Sequence, residues 1–365
     1  MVDDEITFSR APPSRILFIA RTLKNKGFAV EVLGRKGDDV KGLKTTQKGG
    51  AKHVARLRIL LSAYRKALSN SYKHIIIRGT LLAFPLLPLK ALGKRIILDF
   101  HGWLFKEIQL YYEKNVYNKL KVVLYYFLER AATKYSNLII CSSKGAQFLL
   151  GKREKTRSII LENGLDINEA KKAMHEAEHK NTEIYEKYSI PKNKLLIGFM
   201  SNWGRHLDME VMFKAAKIAG VSMIAIGEGP KLNEFEKKWN NITFTHKLPR
   251  QEALKTICLS DITIVPYKQT STHKSYYSTR KVKDYLSLGK PIIMAEVKGR
   301  ETYLIPNKNV LLYRPGDADD LADKIRKLLS DKKLQERMKT NNIKLSHRFD
   351  WKTLVEESGI IQLIK

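Results

Sequence analysis

KLLIGFMS at residues 194–201, the helical stretch Met209–Ala219 and VSMIAIGEG at 221–229 read as strand, helix, strand. Both flanking runs are short and apolar, and the second ends on two glycines, as a strand running into a tight loop does. The alternation continues through ITFTHKL (242–248), Arg250–Leu259, ITIVPY (262–267), Val282–Leu288, PIIMAE (291–296), VLLYRP (310–315) and helical sequence from Asp317 to Ile343. Such a pattern is that of a parallel sheet wrapped by helices, so the fold class is α/β.

An earlier cycle has the same rhythm: EITFS (5–9), a helix over Ser14–Asn25, FAVEVLG (28–34), a helix over Lys52–Asn70, HIIIRG (74–79), Leu81–Leu92, RIILDFHG (95–102), a helix over Lys106–Lys134, NLIICSS (137–143) and SIILENG (158–164). A chain of 365 residues with 43% hydrophobic content suits two cores rather than one. The expected domains are 1–168 and 194–345, with a polar connection rich in Lys, Glu and His at 169–193 and a terminal segment at 346–365. Open sheets of this kind bind ligands beyond the carboxyl ends of their strands, so the loops there are the places to search.

The formal charge of +30, from 67 Lys and Arg against 37 Asp and Glu, favours anionic partners of any kind. Cys141 and Cys258 lack metal-site spacing and are expected as buried free thiols in a reducing, cytoplasmic setting. The acidic start MVDDEITFSRAPPSR has no apolar signal core, and no apolar run approaches the ~18–20 residues of a membrane span. Secretion and a transmembrane anchor are therefore not expected.

The window Ser278-Thr279-Arg280-Lys281-Val282-Lys283-Asp284-Tyr285-Leu286-Ser287-Leu288-Gly289-Lys290-Pro291 begins polar and basic, turns helical, stops at Gly289 and enters a strand. Amides at Ser278 and Thr279 beside Arg280 and Lys281 make an anion site suited to a diphosphate. Asp284 is an acceptor for vicinal sugar hydroxyls. Ordinary capping, with Ser278 as N-cap and Gly289 as C-cap, accounts for the same residues, and the window alone leaves both readings open.

This window resembles the S-P-x-K-x-x-E-Y-x-A-x-G-K-P motif of GT-B glycosyltransferases, especially glycosyltransferase family 4. Lys281, Asp284, Tyr285, Gly289, Lys290 and Pro291 match, while Thr279 replaces Pro and Asp284 replaces Glu. Tyr276 stands where many members carry an earlier Glu. KLLIGFMSNWGRH, MIAIGEGP and ITFTHKLPRQEALKTICLSDITIVPY, with His246 in place of Gly, resemble further stretches in the same order, and Phe349-Asp350-Trp351 closes the match. The resemblance covers most of residues 158–352.

It implies two Rossmann-like, doubly wound domains facing across a cleft, the first for the acceptor and the second for a nucleotide sugar, with the last helix crossing back to the first. It implies a hexose transfer with retention, without metal, cofactor or protein nucleophile. By resemblance Lys281 binds donor phosphate and Asp284 the ribose hydroxyls, with Ser278 and Thr279 beside them. Asn202 and Arg205 lie in the loop after the first strand of the donor domain, Arg205 pairing with Lys281 on the leaving diphosphate. The backbone at Lys247 and Leu248 is expected to hold the base.

In the first half, the loop Ser9–Arg15 follows the first strand, and relatives touch the diphosphate there through a Gly pair. Here Arg10 and Arg15 are the candidates to replace those amides by side chain, with Ser9 beside them as a donor-binding residue, although a purely structural turn fits as well. His101 ends the run RIILDF, and the D-F-H-G-W context resembles the station of a family His that contacts the transferred sugar. Asp99 is read as orienting its ring or as a buried acceptor, and Glu129 and Asn163-Gly164-Leu165-Asp166 as structural landmarks.

Ten basic residues and one acidic one lie between Ala51 and Phe100. Val54, Leu57, Leu60, Leu61, Tyr64 and Leu68 recur at helical spacing beside Arg56, Arg58, Arg65 and Lys66, the profile of an interfacial helix and equally of a core-facing helix with solvated cations. Trp103, Phe105, Tyr111, Tyr112, Tyr117, Tyr125 and Tyr126 interleave with lysines, a mixture suited to lipid headgroups. The expected partners are a nucleotide sugar, a lipid-linked or glycan acceptor touched by Arg56, Arg58, Arg65 and Trp103, and an anionic membrane surface at the inner face, with no nucleic acid. The competing readings are a nucleotide-sugar epimerase on the same fold, or a basic protein that binds membrane or nucleic acid.

Overall fold

The structure, a computed structural model, describes the chain except residues 1–10, 38, 39, 41, 42, 70, 71, 112–114, 192, 193, 205, 270–278 and 299. The chain divides into two units, Met1–Asn163 with Trp351–Lys365, and Gly164–Asp350.

The first unit runs α1 (Ala11–Asn25), β1 (Glu31–Arg35), β2 (Lys44–Lys48), α2 (Lys52–Leu68), β3 (His74–Arg78), α3 (Thr80–Ala83), a 3-10 helix (Phe84–Leu92), β4 (Arg95–Phe100), α4 (Leu104–Tyr111), α5 (Val116–Tyr135), β5 (Leu138–Cys141), α6 (Lys144–Phe148), α7 (Lys152–Lys155) and β6 (Ser158–Ile160). β3, β4, β5 and β6 lie side by side in that order, all parallel, and β1 pairs parallel with β2. β5 is buried at every residue and β4 at all but its first, as a sheet covered by helices on both faces requires.

Three expectations change. The helix expected over Lys106–Lys134 is two, α4 and α5, the second restarted by Asn115, whose side chain accepts from the Asn118 amide. Leu81–Leu92 holds only one α-turn before Pro85 and Pro88 tighten it to 3-10. β2, Lys-Thr-Thr-Gln-Lys, carries no apolar alternation and was not expected as a strand. EITFS lies outside the described residues.

The second unit runs α8 (Ile167–Lys187), β7 (Leu196–Met200), α9 (Met209–Ala219), β8 (Ser222–Ile226), α10 (Leu232–Lys238), β9 (Ile242–His246), α11 (Arg250–Cys258), β10 (Ile262–Val265), α12 (Arg280–Ser287), β11 (Ile292–Ala295), β12 (Val310–Tyr313), α13 (Ala318–Ser330) and α14 (Lys332–Ser346). Its parallel strands stand in the order β12-β11-β10-β7-β8-β9. That is the doubly wound order, and it reverses between β7 and β10. The stretch expected to connect the domains, 169–193, is largely α8: the Asp166 carboxylate accepts from the Asn168 and Glu169 amides to start it, and it belongs to the second unit, packed on α11.

After α14 the chain rejoins the first unit as α15 (Trp351–Glu357) and α16 (Ile360–Ile364). Trp351 stacks on Phe18 of α1 with ring centroids 5.5 Å apart, and Val355, Ile360, Ile361 and Ile364 share a core with Ile16, Leu17, Ile19 and Leu23. Cys141 and Cys258 are free thiols, and burial pushes them up to about 12 and 11. Among the described residues no helix is long and apolar enough to cross a membrane.

Candidate functional site

α12 opens at the carboxyl end of β10, next to the end of β7, where the strand order reverses and a crevice must form. Every residue from Lys281 to Ser287 is buried, three charged side chains included. Burying a charge is costly unless it is paired, so each needs an account.

Asp284 is 3% exposed, and its two oxygens take the Arg250 fork at 2.8 and 3.1 Å. Arg250 gives its Nε to Glu169 of α8 at 2.7 Å, and despite burial these two carboxylates hold its guanidinium above the usual range. Asp284, expected to accept from sugar hydroxyls, has both oxygens engaged by Arg250 of α11. Lys283 lies over the Phe349 ring at 4.5 Å. Lys281 is the exception. It is 8% exposed, packed over the rings of Phe199 and Tyr267 at 5.6 and 5.2 Å, and among the described residues its ammonium has one hydrogen bond, 3.4 Å to the Ser201 hydroxyl. Burial pushes its pKa down to about 7, opposed by the charge of Glu301.

Thr279 is the N-cap residue of α12, in an extended conformation. Its amide and hydroxyl donate to Glu301 Oε1 at 3.3 and 3.0 Å, and the Tyr267 hydroxyl donates to the same oxygen at 2.9 Å. Glu301, 1% exposed, thus fixes the start of α12 beside Lys281, while its Oε2 is buried without a hydrogen-bond partner among the described residues. Other residues of the window are structural. The Met200 amide donates to the Tyr285 hydroxyl at 2.8 Å, and Lys290 Nζ donates to the Cys258 and Ser260 carbonyls at 2.7 Å, closing the end of α11. Gly289 has φ +65°, as a residue just past a helix often does. Asn202 is exposed in the loop after β7, and Lys247 and Leu248 leave the end of β9, Lys247 exposed and Leu248 half-buried. Gly227, φ +129°, lets the loop after β8 press on that after β7: a Cβ there would stand 1.8 Å from the Ser201 carbonyl oxygen. Arg205, Tyr276 and Ser278 lie outside the described residues, as do Ser9 and Arg10.

In the first unit His101 leaves β4 beside a cavity of about 220 Å³. Its Nε2 is 3.0 Å from Asp99 Oδ2 and in contact with Arg78 Nη1. Both contacts involve Nε2, and among the described residues none involves Nδ1. Asp99 is 1% exposed and takes Arg15 Nε at 3.0 and 3.2 Å and Arg78 Nη1 at 3.0 Å. Burial would raise that carboxyl, but Arg15, His101 and Arg78 together hold it well below the usual range. Desolvation pushes His101 down to about 4, so the imidazole is neutral at pH 7.

Arg15 is fully buried, bonding the Leu161 and Glu162 carbonyls as well as Asp99. It is corrected from a diphosphate contact to a core ion pair. Trp103 is likewise corrected: it is 3% exposed, packed against Phe100 and Phe105 under the Arg130 guanidinium, and cannot anchor in a membrane. Arg56 is half-buried and lines the cavity beside Arg78 and His101, whereas Arg58 and Arg65 are exposed. Arg250, Glu301, Ser201, Tyr267 and Arg78 escaped the sequence reading, because each gains its role from a partner 21 to 80 residues away.

Residues 180–345 match the model of the family described as glycosyl transferases group 1. A glycosyltransferase from Rickettsia africae ESF-5 superposes with a TM-score of 0.74 at 15% identity, covering 100% of this chain and 97% of that one. Anabaena HepE in complex with UDP gives 0.68 at 14%, covering 99% and 98%. An uncharacterized glycosyltransferase of Methanocaldococcus jannaschii is 23% identical over 236 residues, which span 63% of this chain and 60% of that relative. The chain thus has the fold of GT-B glycosyltransferases along its whole length. Its second unit carries the group 1 sequence match.

Proposed function

We propose that the protein is a glycosyltransferase that moves a hexose from a nucleoside-diphosphate sugar to a lipid-linked or membrane-associated glycan. The observation that carries this reading is Lys281, a buried ammonium without an ion-pair partner among the described residues, held at the start of α12 at the point where the sheet order reverses. A diphosphate there would satisfy both the lysine and the first amides of the helix. The UDP complex of HepE, a protein of the same fold, supports a nucleotide as the occupant.

In this reading the second unit holds the donor and the first unit the acceptor. The acceptor hydroxyl bonds to the anomeric carbon as the bond from that carbon to the diphosphate breaks. The diphosphate keeps the electron pair and takes the hydroxyl proton, and the new bond forms on the face it leaves, giving retention. Lys281 meets charge that grows on the leaving group, where one preorganised donor is worth on the order of 3 kcal/mol. His101, neutral and steadied by Asp99 and Arg78, serves the transferred sugar. The reading needs no cofactor.

Membrane association is supported by α5, whose Val116, Tyr117, Leu120, Val123, Leu124 and Phe127 are each more than half exposed. On α2, Val54, Leu57, Leu61 and Leu68 are exposed beside Arg58 and Arg65, while Leu60 and Tyr64 pack on the core. Apolar stripes edged by cations suit an anionic surface at the inner face of a membrane.

The test is a thermal-shift screen of nucleotide sugars followed by transfer to membrane-extracted acceptors with chelator present. One nucleotide sugar should raise the melting temperature with concentration. If none does, or if Lys281→Ala transfers as fast as wild type, the reading fails.

A further inference from the structure

Glu301 follows β11 and is 1% exposed. Three donors converge on one of its oxygens, Oε1: the Thr279 amide at 3.3 Å, the Thr279 hydroxyl at 3.0 Å and the Tyr267 hydroxyl at 2.9 Å. All three are neutral, and the amide oxygen of a glutamine would accept them as well. The other oxygen, Oε2, is buried and has no hydrogen-bond partner among the described residues. These bonds explain an acceptor at this position but not a charge, and a buried charge is costly unless an opposite one answers it.

The buried ammonium of Lys281 is that opposite charge. It lies 5.2 Å from the centroid of the Tyr267 ring, the same tyrosine whose hydroxyl rests on Glu301. A phenol that donates to a carboxylate carries more electron density on its ring, so the charge of Glu301 reaches the ammonium through space and through the face on which it sits. The neighbouring charges on α12 are answered elsewhere: Asp284 by Arg250, Arg280 by Glu169 at 3.8 Å, and Lys283 over the Tyr303 and Phe349 rings. From the β7 side the described contacts of Lys281 are uncharged, the Phe199 ring and the Ser201 hydroxyl. Tyr267 stays protonated, since burial and Glu301 both raise its phenol, and His206 lies beyond it with ring centroids 6.5 Å apart. Burial pushes Lys281 down to about 7 and Glu301 acts against that push. Without the carboxylate the lysine would give up its proton at a lower pH, and the start of α12 would lose its cation near neutrality.

We propose that Glu301 is a positioning residue of the donor site: by its charge, beyond its hydrogen bonds to Thr279 and Tyr267, it keeps Lys281 a cation for the diphosphate. The proposal deepens the reading above and rests on it for the assignment of the second unit to the donor.

The experiment measures by calorimetry the affinity of the full chain for UDP, GDP and ADP, and follows the tightest of them with pH. The ratio of dissociation constants, Glu301→Gln over wild type, should rise about threefold or more between about pH 5.5 and 8, because the two proteins differ where the lysine titrates. Ionisation of the nucleotide's terminal phosphate is common to both and cancels in the ratio. Glu301→Asp keeps the charge while drawing back from its hydrogen bonds, so any change in its affinity should be the same at every pH. In a Lys281→Met background the Glu301→Gln ratio should be flat. A Glu301→Gln ratio that rises less than this, or falls, overturns the proposal, since a carboxylate that only braces the loop would alter affinity equally at all pH values. So does a rising ratio for Glu301→Asp, and so does a Glu301→Gln ratio that still rises without Lys281, which would place the effect on another group. A Glu301→Gln chain that does not fold also overturns it, by assigning the charge to the fold. Failure of all three nucleotides to bind wild type sinks the glycosyltransferase reading instead, so the two failures are told apart.

Discussion

Arg250 spans Asp284 with both terminal nitrogens while its Nε rests on Glu169, so three helices, α8, α11 and α12, meet at one guanidinium. Removing one partner of a buried pair strands the other. Asp284→Asn should cost about 3 kcal/mol or more. Chemical denaturation checks this, and an unchanged midpoint with lost donor affinity would instead return Asp284 to the role of a sugar-hydroxyl acceptor.

Lys281 titrates near 7 in the folded chain, below the ~10.4 of an exposed lysine. Between these values the unfolded chain binds the extra proton, so this group makes stability rise with pH from 7 towards 10, by at most about 1.4 kcal/mol per unit. A bound diphosphate raises the lysine pKa, so donor affinity should be greatest below pH 7 and fall above it. Calorimetry in buffers of different ionisation heat should record uptake of a proton at pH 8, and Lys281→Met should abolish both slopes.

His101 stays uncharged from about pH 5 upward, since its pKa lies near 4. His101→Asn should lower kcat about a hundredfold with donor affinity kept. The wild-type rate profile should show no limb from this imidazole between pH 5 and 9. A limb near 6.5 that disappears in His101→Asn would contradict the Asp99–Arg78 setting described above.

Leu120→Asp with Leu124→Asp changes two residues of α5 that are 66% and 55% exposed, so melting temperature should hold within a few degrees. Vesicle flotation should be lost. Flotation equal to wild type would remove α5 from the membrane surface.

Gly227→Ala places a methyl on the Ser201 carbonyl oxygen and asks an L residue to hold φ +129°. Loss of more than about 2 kcal/mol is expected. Donor affinity should fall too, although no side chain that meets the donor has been altered, because Ser201 must move away from Lys281. Intact affinity in a destabilised Gly227→Ala protein would show that the loop after β7 is not part of the donor site.

The strands of the second unit were legible because buried parallel strands leave continuous apolar runs such as IIMA, whereas the start of α12 was not, since its N-cap is Thr279 rather than Ser278 and makes no side-chain capping bond. The Arg250–Asp284 pair was not, since nothing in a sequence says which of many arginines a carboxylate 34 positions away will meet. Trp103 misled for a related reason: an aromatic after a strand end reads alike whether it faces lipid or, as here, Phe100 and Phe105. β2 left no trace because its residues are polar and its place depends on β1.

The return of Trp351–Lys365 to the first unit makes the two units unequal as pieces of polypeptide. Gly164–Asp350 is one unbroken segment, whereas the first unit is assembled from both ends of the chain. A fragment stopping at Asn163 would leave the apolar side of α1 bare where Trp351, Val355 and Ile360 should cover it. The first unit also cannot be completed during synthesis until the last helices emerge, by which time all of the second unit has been made.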